Sequence, residues 1–209
     1  MKIKAVVFDM DGVLIEAKDW HYDAMNKALA LFGYTISRHD HLTTYDGLPT
    51  RKKLEMLTLE QGLPAGLHNF INEMKQLYTM QIATAKCSPM FIHEYALSRL
   101  KSEGYLLGVA SNSVRDSVEL MMGNAHLTPW LDVMLSNQDV AKPKPAPDIY
   151  LTAAEKLGVK PSECLVVEDN QHGIAAAKAS GAHVLAVKEV TDVTYGNIIK
   201  RIREIEASA

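Results

Sequence analysis

Short apolar runs that end abruptly in polar residues recur at four places in this chain. Ala5-Val6-Val7-Phe8 runs into Asp9-Met10-Asp11-Gly12, and Leu106-Leu107-Gly108-Val109-Ala110 into Ser111-Asn112-Ser113. Asp132-Val133-Met134-Leu135 precedes the loop Lys142-Pro143-Lys144-Pro145-Ala146-Pro147-Asp148, and Cys164-Leu165-Val166-Val167 runs into Glu168-Asp169. Runs of this length and kind read as buried strands. Helical patterns alternate with them: Val114 to Asn124, Asp148 to Leu157 closed by Gly158, and Gly173 to Ser180 closed by Gly181. A fifth strand over His183 to Val187 precedes a terminal helix from Tyr195 to Glu206. In that helix Ile198, Ile199, Ile202 and Ile205 form a 3.6-period stripe, read as core packing rather than an oligomerisation seam. Strand, helix, strand in series predicts an α/β fold with a doubly wound parallel sheet.

One interval breaks this rhythm. About ninety residues separate Gly12 from the strand at Leu106, where a single crossover needs only a few dozen. The interval carries three helical patterns. These are Trp20 to Phe32, with Met25, Ala28, Leu29 and Phe32 on one side and Gly33 as stop; Thr50 to Gln61, ending at Gly62; and Leu67 to Gln81. The expectation is a small all-α cap inserted over residues 16–88, with residues 1–15 and 89–209 forming the α/β core. His39 and His41 flank Asp40 without further ligands nearby, and are read as a polar loop.

The chain has 209 residues, 47% of them apolar, enough for a full core and an appendage. A net charge of −3 gives no general attraction for nucleic acid or an anionic membrane, so the expected partner is a small molecule and any positive field is local. Two cysteines, Cys87 and Cys164, are too few for a disulfide framework and fit a reducing compartment. The first apolar run is too short, and too soon broken by Asp9 and Asp11, for a signal peptide, and no window approaches a membrane span. A cytoplasmic monomer is expected.

An Asp-x-Asp-Gly alone reads first as a solvated turn after a strand. Ligands of open α/β sheets gather outside the carboxyl ends of the strands, however. If the four strands are parallel neighbours, a hydroxyl, an ammonium and up to four carboxylates share one rim.

In this order and spacing the segments resemble the haloacid dehalogenase superfamily of aspartate-nucleophile phosphotransferases, and within it the beta-phosphoglucomutase and phosphoglycolate-phosphatase-like branch. The likeness rests on Phe8-Asp9-Met10-Asp11-Gly12-Val13, Ala110-Ser111-Asn112, Lys144-Pro145-Ala146-Pro147-Asp148-Ile149-Tyr150 and Glu168-Asp169-Asn170 with Gly173 beyond, and covers nearly the whole chain. It implies a magnesium-dependent phosphatase acting on a small phosphomonoester through an aspartyl-phosphate on Asp9. A beta-phosphoglucomutase is the alternative, and from another class an inactive binding protein that kept the fold. The resemblance also agrees with an all-α cap and leaves the helix at His93 to Glu103 to the core.

Carried over residue by residue, the resemblance makes Asp9 nucleophile and metal ligand. Asp11 lends its main-chain carbonyl to the metal, Asp169 a carboxylate, and Glu168 stands as a further ligand candidate. Asp11, two residues past the nucleophile, is placed to act as general acid and base, and its presence argues for phosphate over halide chemistry. Gly12 permits close main-chain approach to substrate, with Asn112 grouped beside it as a substrate contact. Ser111 is expected to hold the transferring phosphoryl group, or else, like Ser113, to cap the following helix. The family's Lys-Pro-x-Pro-Asp register selects Lys144, with Lys142 as fallback. His21 and Arg51 resemble substrate-reading residues of the cap, and read equally as surface residues; Lys75 and Tyr78 face either cleft or solvent. Glu16-Ala17 and Ser88-Pro89-Met90-Phe91 depart from the branch's usual hinge sequences, which leaves the substrate contacts open.

Overall fold

The computed structural model describes residues 2–45 and 47–208. The chain divides into two compact units, Met1–Glu16 with Cys87–Ala209, and Ala17–Lys86.

The first unit is built on five strands: β1 (Ala5–Phe8), β2 (Leu106–Ala110), β3 (Val133–Leu135), β4 (Cys164–Glu168) and β5 (His183–Ala186). They pair in parallel in the order β3-β2-β1-β4-β5. Successive side chains of a strand point to opposite faces, and Ala5, Val6, Val7 and Phe8 are all at most 2% exposed. A central strand buried on both sides requires helices on both faces, so this is the doubly wound sheet that the uninterrupted apolar runs predict.

On one face, Ala5, Val7, Ala110, Leu135 and Val166 pack with Ile149, Tyr150, Ala153, Ala176 and Ala177. The last five come from the helices following β3 and β4, Asp148–Lys156 and Gln171–Ser180. Helices Phe91–Ser102 and Tyr195–Ala207 contact each other and strands β2 and β5. Ile198, Ile199, Ile202 and Ile205 are buried, as the 3.6-period stripe requires. The chain runs β1 to β2 to β3 in one direction, then crosses back to β4 beside β1. This reversal opens a switch point at the carboxyl ends of β1 and β4.

The described residues of the second unit are helical where they are regular. Among the described residues the α-helices are, in chain order, α1 (Lys18–Ala30), α2 (Arg38–Asp40), α3 (Thr50–Gln61), α4 (His68–Lys86), α5 (Phe91–Ser102), α6 (Arg115–Asn124), α7 (Asp148–Lys156), α8 (Gln171–Ser180) and α9 (Tyr195–Ala207). Met25, Ala28, Leu29, Ile36, Tyr45, Leu54, Leu57, Leu63 and Ile71 form the second unit's own core. Phe32, expected on the buried side of α1, lies past its end and is exposed, stacked edge-on against Phe70. The stretch read as a polar loop is not one. Ser37 caps α2 by accepting the N–H of Asp40, and a π-helical turn follows over His41–Tyr45. His41 is buried against the ring of Tyr22, 5.0 Å between centroids. Among the described residues no helix is long and apolar enough to cross a membrane.

Candidate active site

Parallel pairing brings the ends of the apolar runs together. Phe8 registers with Val109 of β2 and Val167 of β4, so Asp9, Ser111 and Glu168-Asp169 leave the sheet on one rim. The N–H of Asp9 still bonds to the carbonyl of Val167, which extends the ladder by one step and fixes the carboxylate at the switch point. Beyond it the chain turns tightly: the N–H groups of Val13, Leu14 and Ile15 all reach the carbonyl of Met10. Gly12 makes the turn at φ +86°, a conformation that a Cβ would strain.

Lys144 is the centre of this rim. Its side chain is 4% exposed, and its ammonium donates to Asp9 Oδ1 at 2.6 Å and to Glu168 Oε1 at 2.6 Å. The ring of Tyr150 lies 4.9 Å beneath it, and the Tyr150 hydroxyl donates to the same Glu168 oxygen at 2.8 Å. Burying a charged ammonium costs several kcal/mol unless it is paired. Here burial opposes the charge, but the carboxylates of Asp9 and Glu168 outweigh it and hold Lys144 well above its ordinary pKa. Lys142, the fallback, is exposed.

Glu168 is equally engaged on its other oxygen, where Oε2 accepts the N–H groups of Asp169 and Asn170 at 3.0 and 3.1 Å. It lies against the first turn of α8, in space that exists because residue 173 is glycine: a Cβ there would overlap the Glu168 carboxylate. Burial, with the nearby charges of Glu168 and Asp11, pushes the Asp9 carboxyl up, against the pull of Lys144.

Asp9, Glu168 and Asp169 each offer a carboxylate oxygen, and these atoms lie within 4.8 Å of one another. A cluster of hard oxygen donors at that spacing fits a divalent cation such as magnesium. Asp11 Oδ2 accepts the Ser113 hydroxyl at 3.0 Å, a contact across 102 residues of sequence.

Neither serine caps α6. The residue preceding that helix is Val114, which offers no capping side chain, while buried Ser111 accepts the N–H of Ser113 on its hydroxyl at 3.0 Å. The Ser111–Ser113 loop is pinned from behind instead. Ser111 N–H reaches the carbonyl of Leu135, and Asn137 donates from its side chain to the carbonyl of Asn112 and from its main chain to that of Ser113. With those carbonyls turned toward Asn137, the N–H of Asn112 meets no acceptor among the described residues. The Asn112 side chain is spent on the main chain of Lys144, at 3.0 Å to its N–H and 3.3 Å to its carbonyl.

The structure thus gathers Asp9, Asp11, Gly12, Ser111, Asn112, Lys144, Glu168 and Asp169 in the first unit. His21 and Arg51 belong to the second. There His21 Nδ1 lies 3.3 Å from the ammonium of buried Lys75, and Arg51, its side chain 90% exposed, reaches Glu55. Sequence reading left Tyr150, Asn137 and Gly173 without roles. Tyr150 and Gly173 were within the quoted motifs, but their contact with Glu168 depends on packing; nothing local marks Asn137.

A parallel sheet with acids and a buried lysine on its carboxyl rim is the layout of a doubly wound α/β protein with a carboxylate-rich centre at its switch point. The family model described as haloacid dehalogenase-like hydrolase matches residues 6–187, and the chain belongs to that family. It is 30% identical over 195 residues to Protein CbbY of Rhodobacter capsulatus, covering 88% of this chain and 85% of that protein. It is likewise 30% identical over 184 residues to a phosphorylated carbohydrates phosphatase of Thermotoga maritima, covering 86% and 82%. A solved structure of beta-phosphoglucomutase from Clostridium difficile superimposes with a TM-score of 0.85 over 98% of this chain and 99% of that one, at 20% identity, a likeness of fold.

Proposed function

We propose that the protein is a magnesium-dependent phosphatase that hydrolyses a small phosphomonoester, a sugar phosphate or similar metabolite, through an aspartyl-phosphate on Asp9. The observation that carries this is the pairing of buried Lys144 with Asp9 and Glu168 beside Asp169. It holds a carboxylate nucleophile next to a fixed positive charge and a cation-binding oxygen set. A carboxylate cannot approach a phosphate dianion without positive charge between them, and Lys144 supplies part of it. Asp9, Asp169 and the main-chain carbonyl of Asp11 would hold the magnesium, with Glu168 nearby, and when bound that ion offsets the remaining negative charge of the phosphoryl group. Glu168 already accepts four hydrogen bonds, so its first task is to seat Lys144.

Asp9 Oδ attacks phosphorus, the bond from phosphorus to the ester oxygen breaks, and the departing oxygen takes a proton from Asp11. Asp11 then receives the proton of a water whose oxygen attacks the acyl phosphate, restoring the Asp9 carboxylate and releasing inorganic phosphate. The Ser113 hydroxyl orients Asp11 for both transfers. Ser111 and the N–H of Asn112 receive phosphoryl oxygens.

The names of the relatives support phosphorylated carbohydrates as the first substrates to try. The test is release of inorganic phosphate from an aryl phosphate and a panel of sugar phosphates, with magnesium. Phosphate release from a panel member supports the reading. Isomerisation of a hexose phosphate without release indicates a mutase, and inertness toward every substrate indicates a binding protein.

A further inference from the structure

A lysine side chain is long and flexible, so its ammonium is placed well only if both ends are held. The far end of Lys144 is held by Asp9, Glu168 and Tyr150. Its near end sits in irregular chain between the turn at Asn137–Asp139 and the start of α7. There the main-chain N–H of Lys144 donates to Asn112 Oδ1 at 3.0 Å, and its carbonyl accepts from Asn112 Nδ2 at 3.3 Å. A side-chain amide in this position does what a neighbouring strand would do, offering one acceptor and one donor to a single residue. Aspartate of the same shape lacks the donor, and serine is too short to span both atoms. Asn112 is itself fixed from the rear, because Asn137 Nδ2 holds its carbonyl at 2.9 Å.

We infer that Asn112 is a positioning residue acting through Lys144, its amide clasping the lysine's main chain so that the ammonium arrives at Asp9. This rests on the reading of Lys144 as a catalytic group, and it differs from a contact between the Asn112 side chain and substrate.

The experiment is a double-mutant cycle on Asn112→Ala and Lys144→Ala, with kcat and KM measured on an aryl phosphate and melting temperature as the check of folding. Loss of a two-point clasp is expected to lower kcat about tenfold, the equivalent of about 1.4 kcal/mol of misplaced hydrogen bonding, with KM within about twofold. In the Lys144→Ala background the same substitution is expected to add less than about twofold, since the group it positions is gone. Losses that multiply in the double variant overturn the inference, as does a raised KM with unchanged kcat, the mark of direct substrate contact. If Lys144→Ala alone leaves kcat intact, the catalytic reading of the lysine fails, and the inference with it. Should Asn112→Ala fold poorly, Asn112→Ser carries the same cycle, with the same outcomes deciding it.

Discussion

At the scale of single residues, Asp9 and Gly173 show two ways in which a side chain, or its absence, governs this site. Asn at position 9 keeps the size of aspartate and leaves Lys144 paired with Glu168, so Asp9→Asn is expected to fold with little change in melting temperature. An amide is a poor nucleophile and weak cation ligand, so turnover should fall at least about a thousandfold in a steady-state phosphate-release assay. Gly173→Ala tests the opposite case, a residue that touches no substrate. Its new Cβ would displace the Glu168 carboxylate from four hydrogen bonds, so urea unfolding should show a loss of about 2 to 3 kcal/mol, and activity should fall as Lys144 loses one of its two carboxylates. Unchanged stability in that variant would mean that Glu168 has somewhere else to go. The acids and the lysine were legible in the sequence because charged residues at the ends of apolar runs need a reason. Gly173 was quoted as part of a motif, but why it must be glycine was not legible, because the atom it makes room for belongs to β4.

At the scale of elements, the rim is held by a clasp between α6 and the turn after β3. Arg115 donates its guanidinium to Asp139 at 2.7 Å and its main-chain N–H to Gln138, while Asp139 also accepts the N–H and hydroxyl of Ser136. Burial raises the Asp139 carboxyl, but Ser136 and Arg115 outweigh it and bring the pKa down to about 2 from the ordinary 3.8. A carboxyl depressed in the folded state contributes stability that is complete above its unfolded pKa and is lost as pH falls through the folded value. Its partner Arg115 is half exposed and screened by solvent, so the contribution at neutral pH is about 1 kcal/mol. Asp139→Asn should therefore unfold at lower urea than wild type at pH 7, with the gap narrowing as pH drops from about 4 to about 2. A gap independent of pH would place the effect in packing. Periodicity predicted α6 well, yet not this clasp. Serines at 111 and 113 looked like helix caps by their type, whereas Val114 occupies the cap position and the serines turn inward to bind each other and Asp11.

At the scale of the whole molecule, every carboxylate and the lysine of the proposed mechanism belong to the unit of residues 1–16 and 87–209, while Ala17–Lys86 carries His21, Arg51 and Lys75. Chelation should therefore silence the enzyme without unfolding it: activity lost in excess chelator, restored by magnesium, and restored poorly by calcium, whose looser coordination misplaces in-line transfer. Full activity in chelator would overturn the metal assignment. The division of labour predicts a second result. His21→Ala and Arg51→Ala should lower kcat/KM for the physiological metabolite by about ten- to a hundredfold, the value of one or two polar contacts, and leave an aryl phosphate nearly unaffected. Equal loss on both substrates would place these residues in the chemistry, and no loss on either would return them to the surface.

The sequence by itself determined the α/β class and the parallel doubly wound sheet, because burial on both faces of a strand is written locally, in short apolar runs, and its four motifs taken together carried the resemblance to the haloacid dehalogenase superfamily. The resemblance also favoured Lys144 over Lys142, because the family's Lys-Pro-x-Pro-Asp register falls on Lys144, Pro145, Pro147 and Asp148. What only the tertiary structure decided was how those groups are held. Tyr150 beneath the ammonium, the Asn112 amide on the lysine's main chain, Ser113 on Asp11 and the buried His41 all depend on contacts between residues far apart in the chain or on the packing of one helix against another. Periodicity reports which face a residue takes, and carries no information about what stands opposite.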